Sequence, residues 1–431
     1  MSLLGAMNTA ISGLTAQSGA FGNISDDIAN SQTTGFKRVD TSFIDYLTSS
    51  TPTDNEPGAV VATPDYVNTV QGTISQTDNP LGLAISGQGF FAVSQSTSAP
   101  GAVPTFSPQQ YYTQDGDFQM NSQGYLVNDA GEFLNGWIAD STGTLNKTNI
   151  APIQVSQTAY KPVATGNVTL SANLPPGGDV SSTTGNQLPI TSTISVYDAQ
   201  GTSHQLTLSF TSAGADSNNW NLTVTDDSGN TIGTATLAFG ADGTLSSVTQ
   251  SSGTQSTAGQ ESTVTLNTLY PTASGGTQNI NLNVGAIGGT DGLTQFAASS
   301  YTLNGISQDG VPPGNFSSVT TTTAGDIVVN YTNGQSRTIA QAPVVTFAAP
   351  DSLQSQNGAS FTATTASGSA LANEAGTNGA GALVTSSIEG SNVDLATEFS
   401  QLIVAQQAYS ANAKVVTTAS QLMQNTLDMK Q

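Results

Sequence analysis

No cysteine occurs among the 431 residues. Disulfide staples, thiolate metal centres and cysteine nucleophiles are therefore excluded. Charge is nearly as scarce. Asp, Glu, Lys and Arg make up 8% of the chain, against about 25% in an average protein. Basic residues are the rarer sign: 7 Lys and Arg stand against 29 Asp and Glu, a net charge of −22. Recognition of nucleic acid needs clustered Lys and Arg to neutralise phosphates, and an anionic membrane surface makes the same demand, so neither partner is expected. No run approaches the roughly 20 apolar residues of a membrane helix, and no membrane insertion is expected. No Lys or Arg precedes Lys37, and Gly and Asn interrupt the apolar N-terminal stretch. The start does not read as a cleaved secretory signal. The acidity keeps monomers soluble and apart, screened at physiological salt over about 8 Å.

Gly, Ser, Thr, Asn and Gln fill much of the chain, with 45 Gly alone. Length allows two to four domains. The ends are different in kind. Near the C-terminus Leu395, Leu402, Tyr409, Val416 and Met423 recur every seven residues. A second row, Phe399, Gln406, Ala413, Ser420 and Leu427, is offset by four. Near the N-terminus Leu4 and Ile11 form one row, continued by Ser18 and Ser25, and Met7, Leu14, Phe21 and Ile28 form the other. Two such rows are the seam of a coiled coil, so these residues are the candidate self-assembly set. Glu398 is expected on a more exposed face. The first helix should run from Leu3 to Ala29 although Gly5, Gly13, Gly19 and Gly22 lie inside it, each costing about 1 kcal/mol relative to Ala. Small residues permit close helix approach, so this helix should fold when it docks.

Between the ends the text is β. Phe43, Ile44, Tyr46 and Leu47 suggest a short packed turn, and the stretch from Ser49 to Gly58, with Pro52 and Pro57, reads as loop. Leu83 and Ile85, then Gly87-Gln88-Gly89 and Phe90-Phe91, read as strands about a tight turn. Asp115-Gly116 supplies the positive φ angles of tight hairpins. Leu206, Leu208 and Phe210 alternate with polar residues, as do Trp220, Leu222 and Val224, the mark of a half-buried antiparallel sheet in a sandwich or barrel. The stretch from Ser355 to Ala382 reads as a flexible linker. The fold class expected is mainly β with helical termini: a nested, elongated subunit with coiled-coil-forming terminal helices and two antiparallel β domains. The boundaries expected are 1–30 with 388–431 for the helical part, 31–72 with 355–387 for connecting segments, 73–161 with 293–354 for a first β domain, and 162–292 for an inserted outer β domain.

Candidate chemistry is thin. His204, the only histidine, sits in an alternating strand with no Ser or Cys elbow, and reads as a surface strand residue rather than a base. The acidic turns at Asp115-Gly116-Asp117 and Asp226-Asp227-Ser228-Gly229 lack the ligand ladder and closing Glu of a calcium loop. Gly87-Gln88-Gly89 lacks the helix and Lys of a phosphate loop. No carboxylate pair stands out for glycan hydrolysis. No enzyme, metal or cofactor is expected. The terminal rows could instead be ordinary core helices of one chain.

The run from Ala29 to Arg38, Asn30-Ser31-Gln32-Thr33-Thr34-Gly35-Phe36-Lys37 within it, resembles the N-terminal signature of the flagellar axial proteins, the rod and hook subunits. Ser391-Asn392-Val393-Asp394-Leu395 through Lys414 resembles their C-terminal signature, and Leu83 to Phe91 and Tyr112 to Asn128 resemble two internal motifs, all in the family's order. Gly82, Gln114 and Gln407 depart from the family's usual Asp, Arg and Arg, which puts particular intersubunit ion pairs in doubt. The large insert and the Asp198-Ala199-Gln200-Gly201-Thr202-Ser203-His204 stretch resemble the hook branch rather than the shorter distal rod subunit. The resemblance implies a homopolymer of many copies forming a curved, torque-transmitting tube. It implies rod subunits, a hook cap and hook–filament junction proteins as neighbours. It also implies export by the flagellar type III apparatus to an extracellular place in the hook and basal body. A distal rod or other axial subunit is the alternative; an adhesin or phage-tail-like fibre would leave the two helical seams unexplained.

Overall fold

Helices occupy both ends of the chain, α1 (Leu3–Ala29) and α2 (Leu395–Asp428), and the described residues between them form strands, turns, irregular segments and one short 3-10 turn. The computed structural model describes all residues except 1–2, 52–53, 100–101, 141–142, 177–178, 181–186, 215–216, 272–276 and 429–431. The chain divides into two units, one made of Met1–Gln157, Ser317–Asn330 and Ser336–Gln431, the other of Thr158–Phe316 and Tyr331–Gln335.

In the first unit, strand Phe90–Gln95 is central. It pairs antiparallel with Tyr111–Thr113, Glu132–Ile138 and Val344–Thr346. The aromatic pair Phe90-Phe91 is fully buried. Phe90 meets Phe347 and Phe361 edge-on at centroid distances of 5.9 and 5.8 Å, and Tyr112 meets Phe347 at 4.9 Å. Such contacts add about 0.5–1.5 kcal/mol beyond area burial. Two expectations fail here. The segment read as a packed turn and loop is one long hairpin, Val39–Thr51 paired with Asp54–Tyr66. Phe43, Ile44, Tyr46 and Leu47 are exposed on it; apolar residues on both faces of the ribbon erased the period-two alternation that marks a strand. The segment read as a flexible linker is not one either. Gln354–Gln356, Ser360–Thr362, Leu371–Asn373 and Ala382–Thr385 all pair into sheets of this unit. Its glycines turn the chain between short strands: Gly358, Gly368, Gly376 and Gly379 have φ of 80°, 80°, 73° and 81°. Composition alone does not separate such turns from a linker.

The second unit is a two-sheet packing. Ile190–Tyr197, Ser203–Ser212, Asn219–Thr225, Thr231–Phe239, Leu245–Gln250 and Gly253–Gln255 form a six-stranded antiparallel sheet in chain order. Alternation decides its inner face: Leu206, Leu208, Phe210, Trp220, Leu222 and Val224 are buried and share one core with Leu170, Leu266, Ile280 and Leu282 of the other sheet. That second, five-stranded sheet departs from the antiparallel expectation. Its central strand Asn167–Asn173 pairs parallel with Thr277–Ala286 and with Leu293–Thr294, and antiparallel with Thr302–Gln308. No hairpin joins the central strand to these neighbours, so no tight turn fixes their direction. Residues from 293 to 316, expected in the first β domain, complete this sheet instead, because Thr302–Gln308 covers the open edge of Asn167–Asn173 along its length. The two ends of the segment run side by side through bridges Tyr160–Gly314 and Val163–Val311. His204 stacks on Tyr270, 3.7 Å between centroids, with Asp227 and Asp198 at 3.1 and 3.4 Å from its ring nitrogens. It ties two turns together at the start of a strand.

A fragment of residues 158–316 should fold alone, with one cooperative thermal transition read from Trp220, which is fully buried in this unit. A fragment cut at 292 lacks Thr302–Gln308 and leaves the Asn167–Asn173 edge bare. It should melt lower or fail to unfold cooperatively; equal melting of the two fragments would contradict the sheet assignment.

Candidate assembly surface

Helices α1 and α2 pair antiparallel: Gly13 lies against Asn412, and Phe21 meets Tyr409 edge-on at 6.1 Å. A Cβ on Gly13 would stand 2.8 Å from the Asn412 amide, so this glycine sets how closely the helices approach. A second face of α1 seats the 39–66 hairpin. The Thr9 hydroxyl donates to the Gly58 carbonyl at 3.3 Å, the Val60 amide donates to Ser12 Oγ at 3.1 Å, and Asn23 Nδ2 donates to Thr41 Oγ1 at 2.9 Å. Ala10, Ala16, Ala20 and Ile24 of α1 are buried.

The heptad reading found one seam and the structure has two faces. On α2 the inward residues are Glu398, Ala405 and Ala419, all buried, with half-buried Asn412 in the same phase. Leu402, Val416 and Met423 lie beside them, half-buried. The row through Phe399 that was expected to complete the seam points away from α1: Phe399 is 51% exposed. Leu395 and Tyr409 are also exposed, as are Ile403, Val404, Val415 and Leu422, which the heptad did not select. Glu398, expected outside, is 1% exposed. The reason is size: the helices approach over Gly, Ala and Asn, residues that a search for large apolar side chains passes over. On α1, Met7, Leu14, Phe21 and Ile28 are half-buried, whereas Leu4 and Ile11 are exposed. The side chain of Leu427 lies outside the described residues. Ile24, Phe43, Ala396, Val404 and Ala405 line an open groove of about 570 Å³ where the two helices meet the hairpin. The surface left open on the two paired helices and the hairpin is largely apolar.

Below the helices one buried ion pair gathers three stretches of chain. Lys37 Nζ donates to Glu389 Oε1 at 2.7 Å and to the Val70 carbonyl at 2.8 Å, and the same Oε1 accepts the Gly72 amide at 2.7 Å. Lys37 and Glu389 are 4% and 1% exposed. Burial pulls the Lys37 pKa down from its usual value, and the Glu389 carboxylate opposes that shift. Around the pair, the Gly35 amide donates to the Glu389 carbonyl, and Asn392 accepts the Arg38 amide and donates to the Val67 and Val70 carbonyls. Gly35 holds φ of 68°, and a Cβ there would stand 2.3 Å from the Asp115 amide nitrogen. Lys37 lay within a motif visible in the sequence; Glu389 did not, since nothing in its neighbourhood advertises a partner so far upstream.

At the junction of the helices Asp27 is 1% exposed and accepts the Val39 amide at 3.0 Å. Burial pushes its pKa up to about 7, against that hydrogen bond and with help from Glu398, Asp26 and Asp40. Burial also raises the Glu398 pKa. Among the described residues no group of three or more His, Asp or Glu side chains is placed to hold a metal ion, and no helix is long and apolar enough to cross a membrane.

Removing one partner of a buried pair strands the other charge, at a cost of about 3–5 kcal/mol. Lys37→Met and Glu389→Gln should each destabilise the first unit by that amount in denaturant unfolding of the full chain. In a Trp220→Phe background, Trp137 reports this unit alone. A loss below about 1 kcal/mol, the range of exposed pairs, would show that the pair does not anchor the fold.

Three family models match along the chain: the flagellar hook protein FlgE/F/G D1 domain over residues 84–173, the flagellar basal body protein FlaE D2 domain over 169–311, and the flagellar basal body rod FlgEFG protein C-terminal region over 384–429. Full-length relatives agree. The flagellar hook protein FlgE of Brucella suis is 31% identical over 432 residues, covering 100% of both chains. Those of Escherichia coli and Borreliella burgdorferi are each 30% identical, covering 99% of this chain and 100% of theirs. Signature, helical ends and full-length similarity coincide, and the chain belongs to the family of flagellar hook proteins.

Proposed function

We propose that this chain is a structural subunit that polymerises into the curved hook tube, a bendable joint passing torque from rod to filament. The observation that carries this reading is the set of outward apolar side chains on the helical pair, Leu4, Ile11, Leu395, Phe399 and Ile403, left open in a single copy. Covering one large apolar side chain contributes about 1.5–3 kcal/mol, and the same patch recurs on every subunit, so association can propagate. The charge-poor β surfaces suit a joint that bends. Exposed ion pairs contribute only about 0–1 kcal/mol each, and a surface of Ser, Thr, Asn and Gln makes weak contacts that can be exchanged as neighbours shift.

The strand-paired 355–387 segment is unsuited to act as a hinge, so bending is assigned to contacts between copies. The chemistry is mechanical rather than catalytic. Rod subunits below, the hook cap during growth and the hook–filament junction proteins above are the neighbours this role requires. The flagellar type III apparatus is the export route this role requires.

Phe399→Asp tests the role directly. In the free subunit the side chain is half in water, so the melting temperature should stay within a few degrees of wild type. In a tube the same carboxylate would be buried unpaired, at a cost of several kcal/mol. Negative-stain microscopy of concentrated protein should show tubes for wild type and none for the variant. Leu402→Asp, on the half-buried side of α2, should instead disturb the helical pair of the monomer. Normal tubes from Phe399→Asp would reject the outward face as the assembly element.

A further inference from the structure

The junction of α1, α2 and the start of the 39–66 hairpin takes two acids out of water. Asp27 and Glu398 are each 1% exposed. The other charged groups that act on them are Asp26 of α1, Arg38 and Asp40 at the hairpin start, and Asp394 just before α2. Asp26 and Asp394 are exposed and Asp40 is half-buried, so two buried carboxylates have one guanidinium near them. Arg38 is already engaged, its Nη2 3.2 Å from Asp40 Oδ2. Arg38 Nε, Asp40 Oδ1 and Glu398 Oε1 are buried and make no hydrogen bond. The described acids are not arranged to hold a metal ion, which leaves a proton as the neutralising species. The helix dipoles say where it sits. Asp27 lies in the last turn of α1, whose carbonyl end disfavours a second negative charge, whereas Glu398 lies in the first turn of α2, where a negative charge is favoured.

We propose that Asp27 and Glu398 form a proton-operated catch that seats the first turns of α2 against the end of α1. With the proton on Asp27, Glu398 is the only ionised member of the pair and the helices stay closed. When the proton leaves, two carboxylates share one buried site and the first turns of α2 lift from α1 and the hairpin. The folded state holds this proton where an unfolded chain has already released it. The stability contributed is therefore greatest at low pH, falls as pH rises above the ordinary carboxylate range, and levels off above about 7. The catch thereby links the openness of the groove beside Ile24 and Phe43 to pH.

The absence of native cysteine makes the test direct. Spin labels on Ser25→Cys and Ser400→Cys, both exposed sites, report the separation of α1 and α2 in the full-length monomer. The distance distribution should be narrow at acidic pH and broaden to longer distances at alkaline pH, with its midpoint near neutrality. Asp27→Asn should keep it narrow throughout. Should that variant fail to fold, Glu398→Gln decides: removing the neighbouring charge should move the midpoint to lower pH. Asp115, another buried acid whose pKa burial raises to about 7, is the control, and Asp115→Asn should leave the midpoint in place. A distribution independent of pH in the wild type overturns the proposal. So does a midpoint unmoved by Glu398→Gln, or one abolished by Asp115→Asn.

Discussion

Of the 7 basic side chains in this protein, Lys37 is the one among the described residues that is taken wholly out of water, and the architecture of the first unit depends on it. Its partner Glu389 also accepts the Gly72 amide, and strand Ser387–Glu389 pairs with Ile74–Gln76. One ion pair thereby fixes where the N-terminal helix turns into the hairpin, where the hairpin returns to the sheet, and where the sheet releases the C-terminal helix. A buried pair of this kind is a poor source of net stability but a strict condition on geometry, since any arrangement that separates the partners leaves a charge stranded. Asn392 and Gly35 extend the condition to the backbone around it.

The helical pair above this node is built on the opposite principle. Its closest approach is made by small residues, with Phe21 against Tyr409 beside it, so much of the large apolar side-chain surface is not used between the helices. That surface is left for the outside. Close packing inside and apolar exposure outside are two results of one choice of residues. They explain how a chain can be a folded single subunit and still hold the material for a polymer contact. Four inward positions, Glu398, Ala405, Asn412 and Ala419, contain no large apolar residue at all.

Much of this was legible in the sequence. Strict alternation at Leu206, Leu208 and Phe210 and at Trp220, Leu222 and Val224 fixed the inner face of the second unit's larger sheet, because a period of two has only one way to face a core. The helices were legible as helices, and Gly13 as a point of close approach. What was not legible has physical causes. A glycine-rich stretch such as 355–387 can be a coil or a series of tight turns, and only pairing partners far away in sequence decide. The 39–66 hairpin carries apolar residues on both faces, so alternation gave no signal. Parallel pairing at Asn167–Asn173 could not be read from local turns. The face of α2 that packs on α1 runs through Glu398 and not Phe399, because large apolar side chains were taken as the guide to burial.

Lys37 and Glu389 are 352 residues apart in the chain. The entropy of closing a loop grows only as the logarithm of its length, yet a contact of such range cannot form until nearly the whole polypeptide is present. Residues 158–316 can fold within that loop and shorten its effective length before its ends meet. Connectivity then favours local sheets before the ion pair and the helix–helix contact, which close the longest loops. Until that closure, both ends of the polypeptide are open chain, free to be threaded before they are fastened.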